Sequence, residues 1–304
     1  MEVVVLGSAA GGGFPQWNCH CRMCRSVREG TSRAQPRTQS SIAVSDNGER
    51  WVVINASPDI RQQINASPQL CNADGLRGSA ISAVIVTDAQ IDHTTGLLIL
   101  REGLPLDLYC TARVEQELTS SYPILTMMSH WHSGYRIHSI DPLGDSWQIP
   151  SVPGLRFEPV LLESNAPPFS ANRNKPMPGD TIGLKITDTF SGNYLLYAPG
   201  LAKPAPEVVS ALSDASCVMM DGTLWTDDEM ILAGLGDQRG SDMGHLSVSG
   251  EQGMLALLAD FEKPRKVLIH INNTNPILDP DSEEYQAVAA QGVEVAFDGM
   301  TLTV

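Results

Sequence analysis

The stretch that decides the fold runs from Ala83 to Leu97 and reads Ala-Val-Ile-Val-Thr-Asp-Ala-Gln-Ile-Asp-His-Thr-Thr-Gly-Leu. Its first four residues are apolar and predict a buried β-strand. Asp92 and His93 follow side by side, just before a predicted helix that starts at Thr94. A carboxylate and an imidazole at the end of a strand are candidate metal ligands. Asp88 and Gln90 precede them at alternate positions, and they would make such a site richer in oxygen than a cluster of histidines.

This arrangement resembles the His-x-His-x-Asp-His motif of the metallo-β-lactamase fold. Asp88 and Gln90 stand where that motif has its two leading histidines, whereas Asp92 and His93 are retained. The resemblance implies an α/β fold, a four-layer αβ/βα sandwich built from two similar halves. The predicted strands and helices alternate in both halves without a low-complexity linker. We therefore expect residues 1–304 to form a single domain.

The composition excludes several classes of function. The chain has 20 Lys and Arg against 35 Asp and Glu, a net charge of −15, which argues against binding to nucleic acid or to anionic lipid. No apolar run approaches the ~20 residues that a membrane span needs. The first residues lack the basic region typical of a signal peptide, so we expect a cytoplasmic protein. In that compartment the six cysteines are expected to be thiols or metal ligands.

Three of those cysteines form a compact motif, Cys-x-Cys-x-x-Cys, at Cys19, Cys21 and Cys24. Thiols at this spacing can converge on one tetrahedral zinc, and a thiolate set without an open position is typical of a structural site. The alternative is three unrelated thiols. His20 lies inside the motif, but we expect the backbone to direct it elsewhere. The motif predicts a zinc-binding excursion at about residues 11–38.

Two further histidines lie at places where a site could form. His270 ends the apolar strand predicted from Lys266 to Ile271, although a lone histidine at a strand end is usually only a hydrogen-bonded polar residue. His245 lies in a loop predicted to enter a helix, where it could be a general acid or base or could cap the loop. Three other histidines have no third ligand nearby and are expected at the surface or at a pocket rim: His130, His132 and His138.

Taken together, these motifs resemble the coenzyme pyrroloquinoline quinone (PQQ) biosynthesis protein B family, a distant branch of the metallo-β-lactamase superfamily. The resemblance covers essentially the whole chain. It rests on five segments, residues 13–24, 55–59, 87–96, 243–245 and 269–273.

The resemblance implies a single active-site metal held by Asp92, His93 and His270. The superfamily's mid-chain histidine and bridging aspartate have no counterpart at residues 163–165 and 198–199. Two histidines and one carboxylate are the ligand composition of non-haem Fe(II) oxygenases. The related cyclic phosphodiesterases carry a zinc-binding histidine three residues after the last histidine. Here that position is Asn273, the candidate fourth ligand of the structural zinc.

The family resemblance implies an iron-dependent hydroxylase that acts on the tyrosine ring of the Glu-Tyr cross-linked precursor of PQQ. Asp88, Gln90 and His245 would support the site or handle protons. A homodimer is expected, and other enzymes of the pathway are further candidate partners. Two alternatives stay open: a non-catalytic protein that carries PQQ or its precursor to the periplasm, and a hydrolase with one zinc-activated water.

Overall fold

The computed structural model describes residues 1–71, 76–173 and 175–304. The strands of the first half are β1 (Glu2–Gly7), β2 (Ser41–Ser45), β3 (Trp51–Ile54), β4 (Ile81–Ile85), β5 (Asp107–Thr111) and β6 (Arg136–Ile140). Those of the second half are β7 (Trp147–Gln148), β8 (Leu155–Leu161), β9 (Ile182–Asp188), β10 (Tyr194–Ala198), β11 (Cys217–Asp221), β12 (Arg265–Ile269) and β13 (Val293–Val295). A last strand, β14 (Thr301–Thr303), returns to the first half.

The two sheets repeat one pairing pattern. The first has the order β14-β1-β2-β3-β4-β5-β6, antiparallel from β14 to β3 and parallel from β3 to β6. The second has the order β7-β8-β9-β10-β11-β12-β13, antiparallel from β7 to β10 and parallel from β10 to β13. The expected construction from two similar halves is confirmed.

Helices lie on the outer faces of both sheets. Those of the first half are α1 (Arg22–Glu29), α2 (Ile60–Ala66), α3 (Ile91–Thr94), α4 (Gly96–Ile99), α5 (Ala112–Thr119) and α6 (Ile124–Met128). Those of the second half are α7 (Pro206–Ser213), α8 (Glu229–Leu232), α9 (Gly240–Met243), α10 (Met254–Ala259) and α11 (Glu283–Ala290). Short 3₁₀ turns cover Pro68–Leu70, Leu100–Gly103 and Pro276–Leu278. Within the described ranges, no helix has the length and apolar character needed to cross a membrane.

Three hydrophobic clusters separate the four layers. The central cluster lies between the sheets and includes Val44, Ile85, Phe157 and Met219. A second cluster packs the first sheet under α2, α5 and α6, and a third packs the second sheet under α7, α10 and α11. Alternate residues of β1 serve different clusters, Val3 and Val5 the central one and Val4 the outer one, as the period of a strand requires. Truncating a central residue such as Phe157 to Ala should cost about 3–5 kcal/mol.

Several elements differ from the sequence-based expectations. The edge strands β6 and β7 and the helix α11 were not predicted, and β6 exposes most of its side chains, so it lacks a clear apolar pattern. The helix expected directly after the loop of His245 begins only at Met254. His245 therefore does not lead into a helix. It follows Gly244, which ends α9 with a left-handed φ of 95°.

The segment from residue 11 to 38 packs against the hydrophobic core, although its composition is polar. It contains the helix α1, and its apolar side chains Phe14, Met23 and Ala34 are buried in the outer cluster of the second sheet. Phe14 and Arg37 exchange backbone hydrogen bonds of 2.8 and 2.7 Å. Apolar packing as well as metal binding can therefore order this segment.

Three strands, one from the first sheet and two from the second, end on the same side of the fold, and a polar residue lies at or just after the end of each. β4, β11 and β12 run toward Asp88, Asp221 and His270, respectively. Two backbone hydrogen bonds join the sheets at this edge, from Ile271 N to the Ser8 carbonyl and from Ala10 N to the Ile271 carbonyl. The carboxyl ends of parallel strands are where α/β folds build their sites.

Candidate metal centre

Asp92, His93 and His270 converge as the sequence predicts. One ligand atom from each lies within 4.8 Å of the others. Asp92 Oδ2 is 3.3 Å from His270 Nε2 and 3.9 Å from His93 Nε2. The two imidazole rings meet edge to face with centroids 5.3 Å apart. His93 and His270 are buried, whereas the Asp92 side chain remains 17% exposed, so the cluster opens toward solvent on the carboxylate side.

Asp88 orients His93 rather than joining the cluster. The His93 Nδ1–H donates to the Asp88 carboxylate at 2.8 Å, which directs Nε2 toward Asp92. Thr87 Oγ1 and the backbone N–H of Gln90 hold the same carboxylate. A carboxylate behind a ligating histidine fixes the tautomer and makes the ring a stronger ligand.

Close backbone packing places the helix that carries these residues. The backbone N–H of Ala56 donates to the His93 carbonyl at 2.7 Å, and that of Gly96 donates to the Ala56 carbonyl at 2.8 Å. A Cβ on Gly96 would lie 2.4 Å from the Ser57 carbonyl oxygen, so only glycine permits this approach. The segment 55–57, which contributes to the family resemblance, therefore positions the metal ligands without touching the site.

His270 is held by a chain of hydrogen bonds from the second sheet. Its Nδ1 lies 2.9 Å from Thr223 Oγ1, and that hydroxyl donates to Asp221 at 2.6 Å. Nε2 is thus directed to Asp92. His270 has a left-handed φ of 60°, an uncommon conformation for a residue with a side chain. Such strain is typical of functional sites.

Asp221 is a site residue that the sequence reasoning missed. It is fully buried at the end of β11, and its Oδ2 lies 2.7 Å from His245 Nδ1. With His245 and His270 it forms a second cluster of possible metal ligands, and the two rings stack 5.3 Å apart. Its position directly after the apolar run Cys217–Met220, on the strand beside β12, could have revealed it.

In the His93–Asp92 pair and in the His245–Asp221 pair, the surroundings favour a protonated imidazole beside an ionised carboxylate. Burial lowers the pKa of His93, but the carboxylates of Asp88 and Asp92 outweigh it and raise that pKa to about 9. Burial likewise opposes ionisation of Asp92, yet His93 and His270 hold its pKa well below the usual range. Burial lowers the pKa of His245, but the Asp221 carboxylate outweighs burial, so the pKa of His245 is raised. Without metal, therefore, a proton on His93 balances the carboxylates.

These residues fit a divalent cation. His93 Nε2 is buried and has no hydrogen-bond partner in the described ranges, as expected of a nitrogen that binds a metal. An ion at this point would replace the proton that balances the two carboxylates. Two imidazoles and one carboxylate leave coordination positions for other molecules.

The cluster faces a cavity of about 290 Å³. Gln90, predicted to support catalysis, lies on the wall of this cavity, and its Nε2 donates to the Asn165 carbonyl at 3.3 Å. His245 also lines the cavity. The other histidines considered from the sequence are exposed and lie outside this cavity: His20, His130, His132 and His138.

The three motif cysteines converge in a second cluster, with their sulfurs within 4.8 Å of one another. Asn273 is buried against them. Its side-chain nitrogen lies 3.2 Å from Sγ of Cys19 and of Cys24 and 3.8 Å from that of Cys21. Rotating the amide by 180° exchanges the positions of its oxygen and nitrogen. Asn273 can therefore present Oδ1 to an ion while the rest of its side chain stays in place. These donors fit a tetrahedral zinc with no open position. All six cysteines are free of disulfide bonds.

Comparisons with known proteins identify the family and the fold. Residues 50–271 match the family model described as "Beta-lactamase superfamily domain". A "Coenzyme PQQ synthesis protein B" from Ectopseudomonas mendocina is 54% identical over 302 residues, which are 99% of each chain. The crystal structure of zinc-bound PqqB from Methylobacterium extorquens has 43% identity and a TM-score of 0.92, with both chains fully covered.

A more distant structure shares the fold alone. A diphosphatase of the PhnP family has 18% identity and a TM-score of 0.68, covering 99% of this chain and 96% of that one. From the whole-length identity and the superfamily match, we conclude that the chain belongs to the coenzyme PQQ synthesis protein B family within the β-lactamase superfamily.

Proposed function

We propose that the chain acts in PQQ biosynthesis as an Fe(II)- and oxygen-dependent hydroxylase of the tyrosine ring in the Glu-Tyr cross-linked precursor. The observation that carries the proposal is the set of Asp92, His93 and His270 facing a cavity, with each imidazole tied back through Nδ1. This donor set matches the two-histidine, one-carboxylate composition of non-haem iron oxygenases. The family membership supports the pathway.

The overall reaction balances with a named reductant. One oxygen atom of O₂ replaces a ring hydrogen to give C–O–H, and the other leaves as water. Two electrons and two protons must be supplied, and we assign the electrons to a small-molecule reductant such as ascorbate. The bound metal would supply the site at which O₂ becomes reactive.

The chain's own residues hold and move protons. Asp221 accepts from His245 Nδ1–H, which leaves His245 Nε2 as the nitrogen that can exchange a proton with a molecule in the cavity. Asp88 keeps Nδ1 of His93 protonated and Nε2 free. Gln90 can donate or accept a hydrogen bond at the wall, because its amide has both functions.

Two hydrogen-bonded loops form part of the cavity wall. Ser164 Oγ donates to the Gly244 carbonyl at 3.0 Å, and Asn165 Nδ2 donates to the Asp242 carbonyl at 2.9 Å. These bonds tie the loop after β8 to the turn that carries His245. They fix the position of His245 relative to the cavity.

Anaerobic reconstitution with Fe(II), followed by precursor, ascorbate and isotopically heavy O₂, tests the proposal. We expect a product that carries one additional, heavy oxygen atom, and protein loaded with Zn²⁺ is the control that should give none. Precursor recovered unchanged from a tight complex would favour the carrier. Product with oxygen from water would favour the hydrolase.

The cysteine cluster is proposed to hold a structural zinc that orders residues 11–38. Trp17 on this segment is 85% exposed, which suits the expected contact with a second copy of the chain. Light scattering of the zinc-loaded protein should therefore give the mass of a dimer, and Trp17→Ser should shift it to the monomer.

A further inference from the structure

The cavity in front of Asp92, His93 and His270 has one arginine and no lysine among its described lining residues. That residue is Arg173. The remaining lining consists of carboxylates, imidazoles, neutral amides and hydroxyls, and a few apolar side chains. In a chain with a net charge of −15, an arginine beside this cluster is not explained by a generally basic surface.

Arg173 is anchored by neutral groups. Its Nη1 donates to the Ala166 carbonyl at 2.7 Å, and its Nη2 lies 3.5 Å from the Asp242 carbonyl. A guanidinium has five N–H donors, so these two contacts leave donors uncommitted. They also leave its charge without a carboxylate partner in the described part of the chain. Several arginines elsewhere in the chain do pair with a carboxylate, among them Arg33, Arg101, Arg136, Arg156, Arg239 and Arg265.

The rest of the lining suits an aromatic body with polar substituents. Pro168, Met230 and Met243 supply apolar surface, and methionine adapts readily to ring edges. Gln90 and Asn272 supply amides. Through Ser164, Asn165 and Thr181, the cavity shares its wall with an adjoining groove of about 670 Å³, which leaves room for a larger substituent.

We propose that Arg173 binds a carboxylate of the substrate and thereby selects aromatic amino-acid derivatives with free carboxylates. This inference rests on the proposed function, because the cross-linked glutamate and tyrosine provide the carboxylates. The guanidinium is suited to carboxylates because its planar N–H groups can donate in pairs. Arg173 is thus a residue for specificity, separate from those that hold the metal.

The test uses zinc-loaded protein, since zinc does not support oxidation and binding is then measured apart from turnover. The probes are the cross-linked precursor and the same compound with its carboxylates converted to carboxamides, titrated by calorimetry. Wild-type protein should prefer the carboxylate form. Arg173→Gln should weaken that form about tenfold or more, as expected for a charged hydrogen bond, and leave the carboxamide form unchanged.

Two variants serve as matched controls. Arg173→Lys keeps the charge without the planar fork and should retain part of the preference. Lys175→Gln removes the same charge from an exposed position on the same loop and should change neither affinity.

Two results would overturn the assignment. Equal weakening of both probes by Arg173→Gln would mean that Arg173 only holds its loop through the Ala166 and Asp242 carbonyls. Equal binding of both probes by the wild type would mean that no carboxylate is recognised. Neither result depends on hydroxylation, so tight carboxylate-selective binding without iron-dependent turnover would refute the oxygenase and keep the role of Arg173.

Discussion

The two candidate metal centres draw their ligands from the chain in opposite ways. The cysteine cluster takes three donors from six consecutive residues, 19–24, and closes with Asn273. The cavity cluster joins Asp92 and His93, which follow a strand of the first sheet, to His270 from the second sheet. A local, closed set is suited to stabilising a segment, whereas a set that spans two sheets and faces a cavity is suited to chemistry.

One short loop connects the two centres. His270 belongs to the cavity cluster, and Asn273, three residues later, reaches the cysteines. Thr274 continues the loop and donates a hydrogen bond to the buried Glu229. The burial of Glu229 raises its pKa to about 7. We propose that these two centres, although they share one loop, have separable roles.

His270→Asn should produce the largest effect. It removes one of the two imidazoles, so we expect loss of the cavity metal and of all measurable turnover. Zinc at the cysteines should stay, because Asn273 and the three thiols are untouched. Metal content per chain and product mass are the measurements, with the exposed His132→Asn as control. A variant that also lost its zinc would show that the centres are not separable.

His245→Asn should affect proton transfer and spare metal binding. We expect turnover to fall roughly 10²-fold, the usual contribution of a general acid or base, while metal and precursor still bind. Asp221→Asn should act in the same direction because it removes the negative charge of the acceptor that orients His245. Full turnover in His245→Asn would mean that this residue only caps its loop.

The local centre was predictable and the distributed one only partly so. The spacing alone predicts a metal site at Cys19, Cys21 and Cys24. Asp92 and His93 are adjacent in the sequence. The pairing with His270 came from the family resemblance, since periodicity does not reveal which strand ends meet. The alternation of elements and the resemblance also indicated the four-layer fold.

The site residues that were not predicted from the sequence are defined by tertiary contacts. Asp221 was overlooked because it follows a buried strand without any recognisable motif, and its meaning comes from the neighbouring β12 and His245. Arg173 lies in an irregular loop, where sequence patterns do not indicate which cavity a side chain lines. The edge strands β6 and β7 were missed because they are short and largely exposed.

Asp88→Asn should weaken the cavity metal without abolishing it. The amide can no longer hold His93 as a charged acceptor does, so we expect a 10- to 100-fold loss of metal affinity. Competition with a chromophoric chelator measures this change. An unaltered affinity would show that Asp88 does not orient the ligand. Complete loss would indicate that Asp88 itself binds the metal.

Cys21→Ala should produce the smallest change at the cavity. We expect loss of the zinc and a lower melting temperature, equivalent to about 4 kcal/mol where zinc stands at a thousand times its Kd. Metal affinity at Asp92, His93 and His270 should change less than tenfold, because two of these ligands lie in α3, far along the chain from the cysteines. A larger change would mean that the loop 270–273 transmits the state of one centre to the other.

X-ray absorption on protein loaded with one zinc and one iron per chain tests the separation of the two centres most directly. The account predicts sulfur ligands at the zinc edge, with Zn–S distances of about 2.3 Å. At the iron edge it predicts nitrogen and oxygen ligands only. Sulfur at the iron edge, or zinc surrounded only by nitrogen and oxygen, would contradict the assignment of a closed thiolate centre and an open histidine–carboxylate centre.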